Sequence, residues 1–477
     1  MTMERVEWKI AGVGAAGAVL LGATAAAVPF HALILVGLVV AAPAAIWLLS
    51  SPSRAIVLLL AVLALLPRFA SPVSIGFKPT FLDVAVLGLL ATWLLGRRAA
   101  RDARVHARLE GPVVALLLTA IGAFIVGIPN GALTTLVIRR FGEMMLSLLL
   151  VLVLTRALRE HPQRATLFVR AALVLGGASA VIGLVLYVLP DETTIRLLST
   201  LAVFDYPSGP EVIHHIRQDP ELAQRATGLW IDPNAFGGYL LLTAALCLPQ
   251  TMTQRPVAPR WLVWACLGAM GLALAATISR GAMLGLLLAA AVLGVVRYPR
   301  LLVLGALTVA VVLLLPQTRD LVGHFVDGFL GNDLATQMRF GEYKDALRLI
   351  ERYPVLGVGF TGSPDVDLYV GVSSMYLLIL QQMGLLGLTA FVVLVAVLAV
   401  GAVRAWPQVR AAGDEQATAI FLGAHAAVLG ALFAGIFDHY FFNIDFHNSV
   451  TWMCALLSLA AATQSRRAVV RSTGHVL

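Results

Sequence analysis

This sequence is short of charge. Only 13% of its 477 residues are Asp, Glu, Lys or Arg, against 59% apolar residues. Soluble globular domains carry roughly 25% charge, so a water-soluble enzyme is excluded. Cysteine is scarcer still. Cys247, Cys266 and Cys454 all sit in apolar runs, which argues against a disulfide framework and a cysteine metal cluster. No Walker motif, Ser-His-Asp order or DxD-like metal signature stands out, and no fixed-period repeat or low-complexity tract is visible. Nucleotide binding and triad hydrolysis therefore have no support in the sequence.

Apolar runs of about 17–25 residues recur instead, each long enough to cross a ~30 Å hydrocarbon core as a helix. Mean hydropathy is +0.88. Fourteen spans are expected, at about 10–28, 31–49, 55–70, 80–96, 111–129, 137–155, 165–189, 234–250, 261–278, 282–296, 301–316, 374–403, 417–437 and 447–463. The fold class is an all-α polytopic transmembrane bundle of about 12–14 spans, with two long external loops carrying short helices. In order, the parts are N-terminal spans (1–189), a first external loop (190–233), central spans (234–316), a second external loop with an amphipathic helix (317–373), and C-terminal spans with a tail (374–477).

The net charge of +8 serves orientation rather than nucleic-acid binding, because the basic residues crowd short inter-span loops. Loops 97–110 and 156–164, the linkers 251–260, 297–300 and 404–416, and the tail after Gln464 hold the excess of Lys and Arg. This places both termini in the cytoplasm, in an inner (cytoplasmic) membrane. The first span, after Arg5 and Lys9, loosely resembles a signal peptide but is expected to be retained.

Long ordered loops usually carry function. In the first loop, His214-His215 is followed by Arg217 and then by Arg225-Ala-Thr-Gly228-Leu-Trp-Ile-Asp232-Pro233-Asn234. Asp232 before Pro233 reads as the cap of the next span, with Trp230 in the interfacial belt, and leaves Arg225 unexplained. Thr277-Ile-Ser-Arg280-Gly281 joins two spans on the same face. Arg280 either snorkels to head groups or points inward as a fixed cation. In the second loop, Leu334 to Tyr353 reads as an amphipathic helix. Leu334, Met338, Ala346, Leu349, Ile350 and Tyr353 share an apolar arc, and Lys344, Asp345, Arg348, Glu351 and Arg352 the opposite one. Arg339 and Glu342 fall within the apolar arc three residues apart, as a structural pair or as part of a charged pocket. Asp438-His439 and Asp445-Phe446-His447 flank the last external turn at a spacing that matches no strong metal site. Asp83 and Glu143 are expected to pair with Lys78 and Arg139-Arg140. The convergent signal is Arg225, Arg280 and Arg339 at three outer-face positions, since guanidinium forks grip phosphate oxygens and stay charged in partly dry sites.

At these residues the chain resembles the O-antigen polymerase and O-antigen ligase superfamily. The similarity covers roughly 217–403 and rests on Arg225-Ala-Thr-Gly-Leu-Trp-Ile-Asp-Pro-Asn234, Ser279-Arg280-Gly281, Arg339 with Pro354-Val-Leu-Gly-Val-Gly359, and Gly384-Leu-Leu-Gly387. The polymerases pair an arginine with a downstream glycine in each of two external loops, a pattern that Arg217 with Gly228 and Arg348 with Gly359 fit. The ligases carry a histidine and a polar residue ten positions before Gly-x-x-Gly, where this chain has Ser373 and Ser374.

The resemblance implies a membrane glycosyltransferase polymerising undecaprenyl-diphosphate-linked repeat units into O-antigen or exopolysaccharide on the outer face of the membrane. An O-antigen ligase acting on lipid A-core is the alternative. A secondary transporter or flippase is the alternative of another class, which would place charges and broken helices near the midplane. Arg225, Arg280 and Arg339 are the expected catalytic residues, working with neither metal nor cofactor. Arg217, Arg348, His214, His215, Asp232, Glu342 and Ser373 are the expected substrate-binding residues, with His214, His215, Asp232 and Glu342 also candidates for the general base. The expected partners are lipid-linked glycans, membrane lipid and a chain-length regulator protein.

Overall fold

A computed structural model describes residues 51–72, 77–96, 109–216, 219, 222–314, 323, 326, 330–331, 334–365, 367–368 and 371–464. The expected spans 10–28 and 31–49, most of loop 97–110, Arg217, much of 315–333 and the C-terminal tail lie outside these residues. The fold is an all-α membrane bundle, as expected. Its apolar helices are α1 (Pro52–Leu65), α2 (Phe81–Gly96), α3 (Glu110–Gly127), α4 (Thr135–Glu160) and α5 (Gln163–Val188). A short loop helix, α6 (Asp191–Ser199), precedes α7 (Pro233–Cys247), α8 (Arg260–Thr277), α9 (Arg280–Val296) and α10 (Arg300–Leu314). The amphipathic α11 (Leu334–Arg352) leads into α12 (Met375–Ala411), α13 (Glu415–Ala434) and α14 (His447–Thr463). Strand pairing among the described residues is confined to a two-residue ribbon, β1 (His214–His215) with β2 (Gln224–Arg225), and an isolated bridge between Ala70 and Thr80.

Six of these helices are long and apolar enough to cross a membrane, and four shorter apolar ones accompany them. α4 and α5, at 26 residues each, are about 39 Å long at 1.5 Å per residue. Side chains such as Leu118, Val185, Leu272, Leu313 and Val403 remain exposed, the surface expected to face lipid rather than water. Two helices are different. α7 and α14 are buried on every side, polar residues such as His447, Ser449 and Thr451 of α14 included. The chief helix pairs are α4 with α14, α9 with α13, α5 with α8, and α7 with α13.

The segments between helices gather at two ends. At one end Arg68 donates to the Asp445 carbonyl (3.3 Å), Lys78 pairs with Asp205 (2.6 Å), and Met375 N donates to the Asp438 carbonyl (3.0 Å). The described parts of both long loops lie here. At the other end Gln254 N donates to Glu415 (2.9 Å) and Arg159 to the Ala461 carbonyl (2.9 Å).

One span is broken. α12 is interrupted at Gly384, whose φ of 62° is non-helical. The backbone groups freed there are met by Pro354–Gly359. Val358 N donates to Gln381 O (2.8 Å) and Gly359 N to Gln382 O (3.0 Å), while Leu385 N donates to Pro354 O (2.8 Å). A break inside a bundle is tolerated only when neighbours satisfy its backbone in this way. The turn is clamped on its far side by α3, where Asn130 Nδ2 donates to the Val358 carbonyl (2.8 Å). Gly359 (φ 79°) passes so close that an added Cβ would lie 2.5 Å from Gly127 Cα. The glycines that carry the family resemblance therefore dock the second long loop into the bundle.

Candidate functional site

The site is built where three chain segments meet at the loop end of the bundle. Its first segment is the stretch before α7. Asp232 caps that helix as expected, its Oδ1 accepting from Ala235 N at 2.7 Å, with Pro233 in the first turn. To enter the cap, the chain makes a tight turn with Gly228 at φ 54° and Ile231 at φ 67°. Trp230 is not in an interfacial belt. The turn drives it inward, where it is buried and stacked on Tyr239 with centroids 4.7 Å apart.

Just upstream, Arg225 lies half-buried along the end of α8. Its Nε donates to the Thr277 carbonyl (2.8 Å) and an Nη to Asn234 Oδ1 (2.6 Å), while Ala226 N donates to the Ala276 carbonyl (2.8 Å). A guanidinium at the carbonyl end of a helix is favoured by the helix dipole. Thr277 ends α8, Ile278 turns the chain in the left-handed region, and Arg280 opens α9. The same strip of backbone thus brings Arg225 and Arg280 into one neighbourhood.

Arg339 arrives from α11. The face of that helix bearing Arg339, Glu342, Tyr343 and Ala346 turns toward the start of α12, and Ala346 packs with Val372 and Leu378. The opposite face is solvated as expected, with Lys344, Arg348, Glu351 and Arg352 exposed. Met338 is exposed too, because the first turns of α11 extend beyond the bundle. Glu342 does not close onto Arg339. It accepts from Ser373 N (2.9 Å), and Tyr343 donates to the Ser373 carbonyl (3.2 Å). The pair expected from spacing therefore gives way to a strap across the α11–α12 joint.

Electrostatics tie the three arginines together. Burial pushes the Arg225 guanidinium down from its ordinary pKa, Asp232 and then Asp438 push it back up, and Arg280 and Arg339 push it down again. Asp438, in the turn after α13, was visible in the sequence only as half of an Asp-His dipeptide. Desolvation pushes its carboxyl above the usual carboxylate range, against His439 and Arg339, which lower it. Tyr440 lies against this group, fully buried, because Gly238 on α7 has no side chain to obstruct its ring. Arg68, which no motif marked, faces Asp232 from the segment after α1.

The remaining expected residues fall around this cluster. His214 pairs with Arg225 across the ribbon. Its pKa is lowered, first by burial and then by Arg225 and His215, against the Asp232 charge. His214 and His215 also line a cavity of about 560 Å³ with Asp191 and Glu211. Arg348 stands apart, 61% exposed and paired with Asp345 at 3.5 Å. Asp83 and Glu143 share Arg139 (3.9 and 2.7 Å) but not Lys78, which turns to Asp205, nor Arg140, which pairs with Asp445.

Residues 265–392, from within α8 to the middle of α12, match the family model described as O-Antigen ligase. This match supports the O-antigen polymerase and ligase superfamily. It takes in Arg280, Arg339, the Pro354–Gly359 turn and the Gly384 break. No curated protein matches the chain.

Proposed function

We propose that this membrane protein, with an O-antigen ligase-type segment at its centre, transfers glycan from a polyprenyl diphosphate carrier, and that it does so as a polymerase. The observation that carries the reading is the shared electrostatic neighbourhood of Arg225, Arg280 and Arg339, which reach one place from separate segments. A polyanion with several oxygens, such as a diphosphate, suits a place reached by three guanidinium forks, because such forks bind phosphate oxygens bidentately.

In the proposed reaction the hydroxyl of an incoming lipid-linked repeat unit attacks the anomeric carbon of the growing glycan. The new glycosidic C–O bond forms as the bond to the diphosphate breaks, and the carrier leaves as an anion. Negative charge grows on that leaving group, so arginines fixed in a poorly hydrated cleft stabilise the transition state more than the ground state. The hydroxyl proton needs an acceptor. Asp232 and Asp438 each accept one backbone N–H, from Ala235 and His439. Asp438, whose carboxyl is raised by desolvation, is the better base, because proton transfer is most efficient when the pKa approaches the working pH. The cavity beside β1, with its acidic and imidazole lining, offers polar groups for the sugars.

A polymerase is favoured over a ligase by Ser373. Its backbone is committed to the strap with Glu342 and Tyr343, and a serine hydroxyl cannot supply the titratable imidazole of the ligase pattern. The site at the loop end is read as the outer face of the inner membrane, following the charge bias of the short loops. The test uses purified protein with a diphosphate-linked repeat unit. A ladder of longer lipid-linked products without lipid A-core supports the proposal. A single product, formed only when lipid A-core is added, decides for the ligase.

A further inference from the structure

A second cluster of ionisable groups lies nearby and takes no part in the proposed transfer. Asp83 stands in the first turn of α2, Glu143 in α4, and His447 opens α14. All three are buried, with side chains only 8–9% exposed. One oxygen of each carboxylate is already held in place. Asp83 Oδ2 accepts from Thr80 N (2.7 Å), and Glu143 Oε1 from Arg139 Nε (2.7 Å). The other two oxygens face the imidazole, with Asp83 Oδ1 at 3.8 Å and Glu143 Oε2 at 3.7 Å from His447 Nδ1.

These separations are too long for hydrogen bonds. Asp83 Oδ1 is buried without a hydrogen-bond partner. Buried carboxylate oxygens are costly unless paired, so the arrangement lacks something between its three donors. The three ligand atoms lie within 4.8 Å of one another. A point equidistant from all three is then roughly 2.1–2.4 Å from each, close to the 2.0–2.2 Å of zinc bonds to imidazole nitrogen and carboxylate oxygen.

We propose that Asp83 Oδ1, Glu143 Oε2 and His447 Nδ1 form a binding site for a divalent transition-metal ion of zinc's class. One imidazole with two carboxylates is a borderline donor set, which suits such an ion better than calcium, with its preference for all-oxygen ligands. Thr80 N and Arg139 act as the outer shell, each fixing the idle oxygen of a ligating carboxylate. The role is structural. The ion pins the starts of α2 and α14 to α4, and so anchors the turn 435–446 that carries Asp438.

The test uses full-length protein in nanodiscs, stripped with EDTA, dialysed and then titrated with ZnCl2. The expected uptake is one ion per chain with a rise in unfolding temperature. His447→Gln and Asp83→Asn should each weaken uptake at least about tenfold, the cost of losing even an outer-shell partner, and abolish the thermal rise. Cobalt(II) bound to wild-type protein should show visible d–d absorption, a readout that needs no variant to fold. Three results would overturn the site: negligible zinc uptake by the wild type, no cobalt spectrum, or uptake that persists unchanged in both variants.

Discussion

Replacing Gly359 with alanine should damage this protein far more than its single added methyl suggests. The glycine sits at φ 79°, a region that costs a residue with a Cβ about 1–2 kcal/mol. The new Cβ would also lie 2.5 Å from Gly127 Cα and 2.6 Å from the Ala123 carbonyl. Those are backbone atoms of α3, so no rotamer change relieves the overlap, and forced overpacking costs about 1–3 kcal/mol more. The sum is about 2–5 kcal/mol. It falls on the turn that satisfies the broken backbone of α12 at Gly384. Gly341, on the exposed face of α11, is the control, because a Cβ there meets nothing within 4 Å. Gly341→Ala should stabilise the helix by about 0.8–1.0 kcal/mol. The two variants, compared with wild type by thermal unfolding in the same detergent, should move in opposite directions. A Gly359→Ala protein that unfolds with the wild type would refute the close approach of the turn to α3.

Other outcomes follow from the site. Arg280→Lys keeps the charge but loses the fork, and should lower transfer about 100-fold or more at normal membrane abundance. Arg339→Ala should lose activity similarly. Arg352→Ala should leave it intact, since the pair with Asp365 (2.7 Å) is exposed on the arginine side and worth at most about 1 kcal/mol. If Asp438 is the base, activity rises with pH through a midpoint above the ordinary carboxylate range, and Asp438→Asn removes that limb along with most of the rate. The same raised pKa means the native state holds this proton more tightly than the unfolded chain. Its contribution to stability therefore declines as pH rises through the interval between the ordinary and raised values, which thermal scans of wild type and Asp438→Asn would show.

The spans were legible because lipid demands long apolar helices, and the ends of α2, α8, α9 and α14 fall within two residues of the expected boundaries. The Asp232 cap was equally local, and equally readable. What escaped the sequence is what depends on distant segments. Nothing near the glycines of Pro354–Gly359 reveals the break in α12 that receives them. Spacing alone joined Arg339 to Glu342, but Ser373 N, 31 residues further along the chain, competes for the carboxylate and wins. Asp438 and Arg68 carry no motif and join the arginines only through the folding of the loop end. His447, read with Asp445 as a pair along one chain, turns instead to acids on α2 and α4.

The most direct measurement of the central claim is a cryo-EM map of the protein with undecaprenyl diphosphate bound. Diphosphate density bounded by Arg225, Arg280 and Arg339 is expected, together with its loss in the Arg280→Lys protein at the same lipid concentration. Diphosphate density elsewhere, away from these three arginines, would refute the clamp.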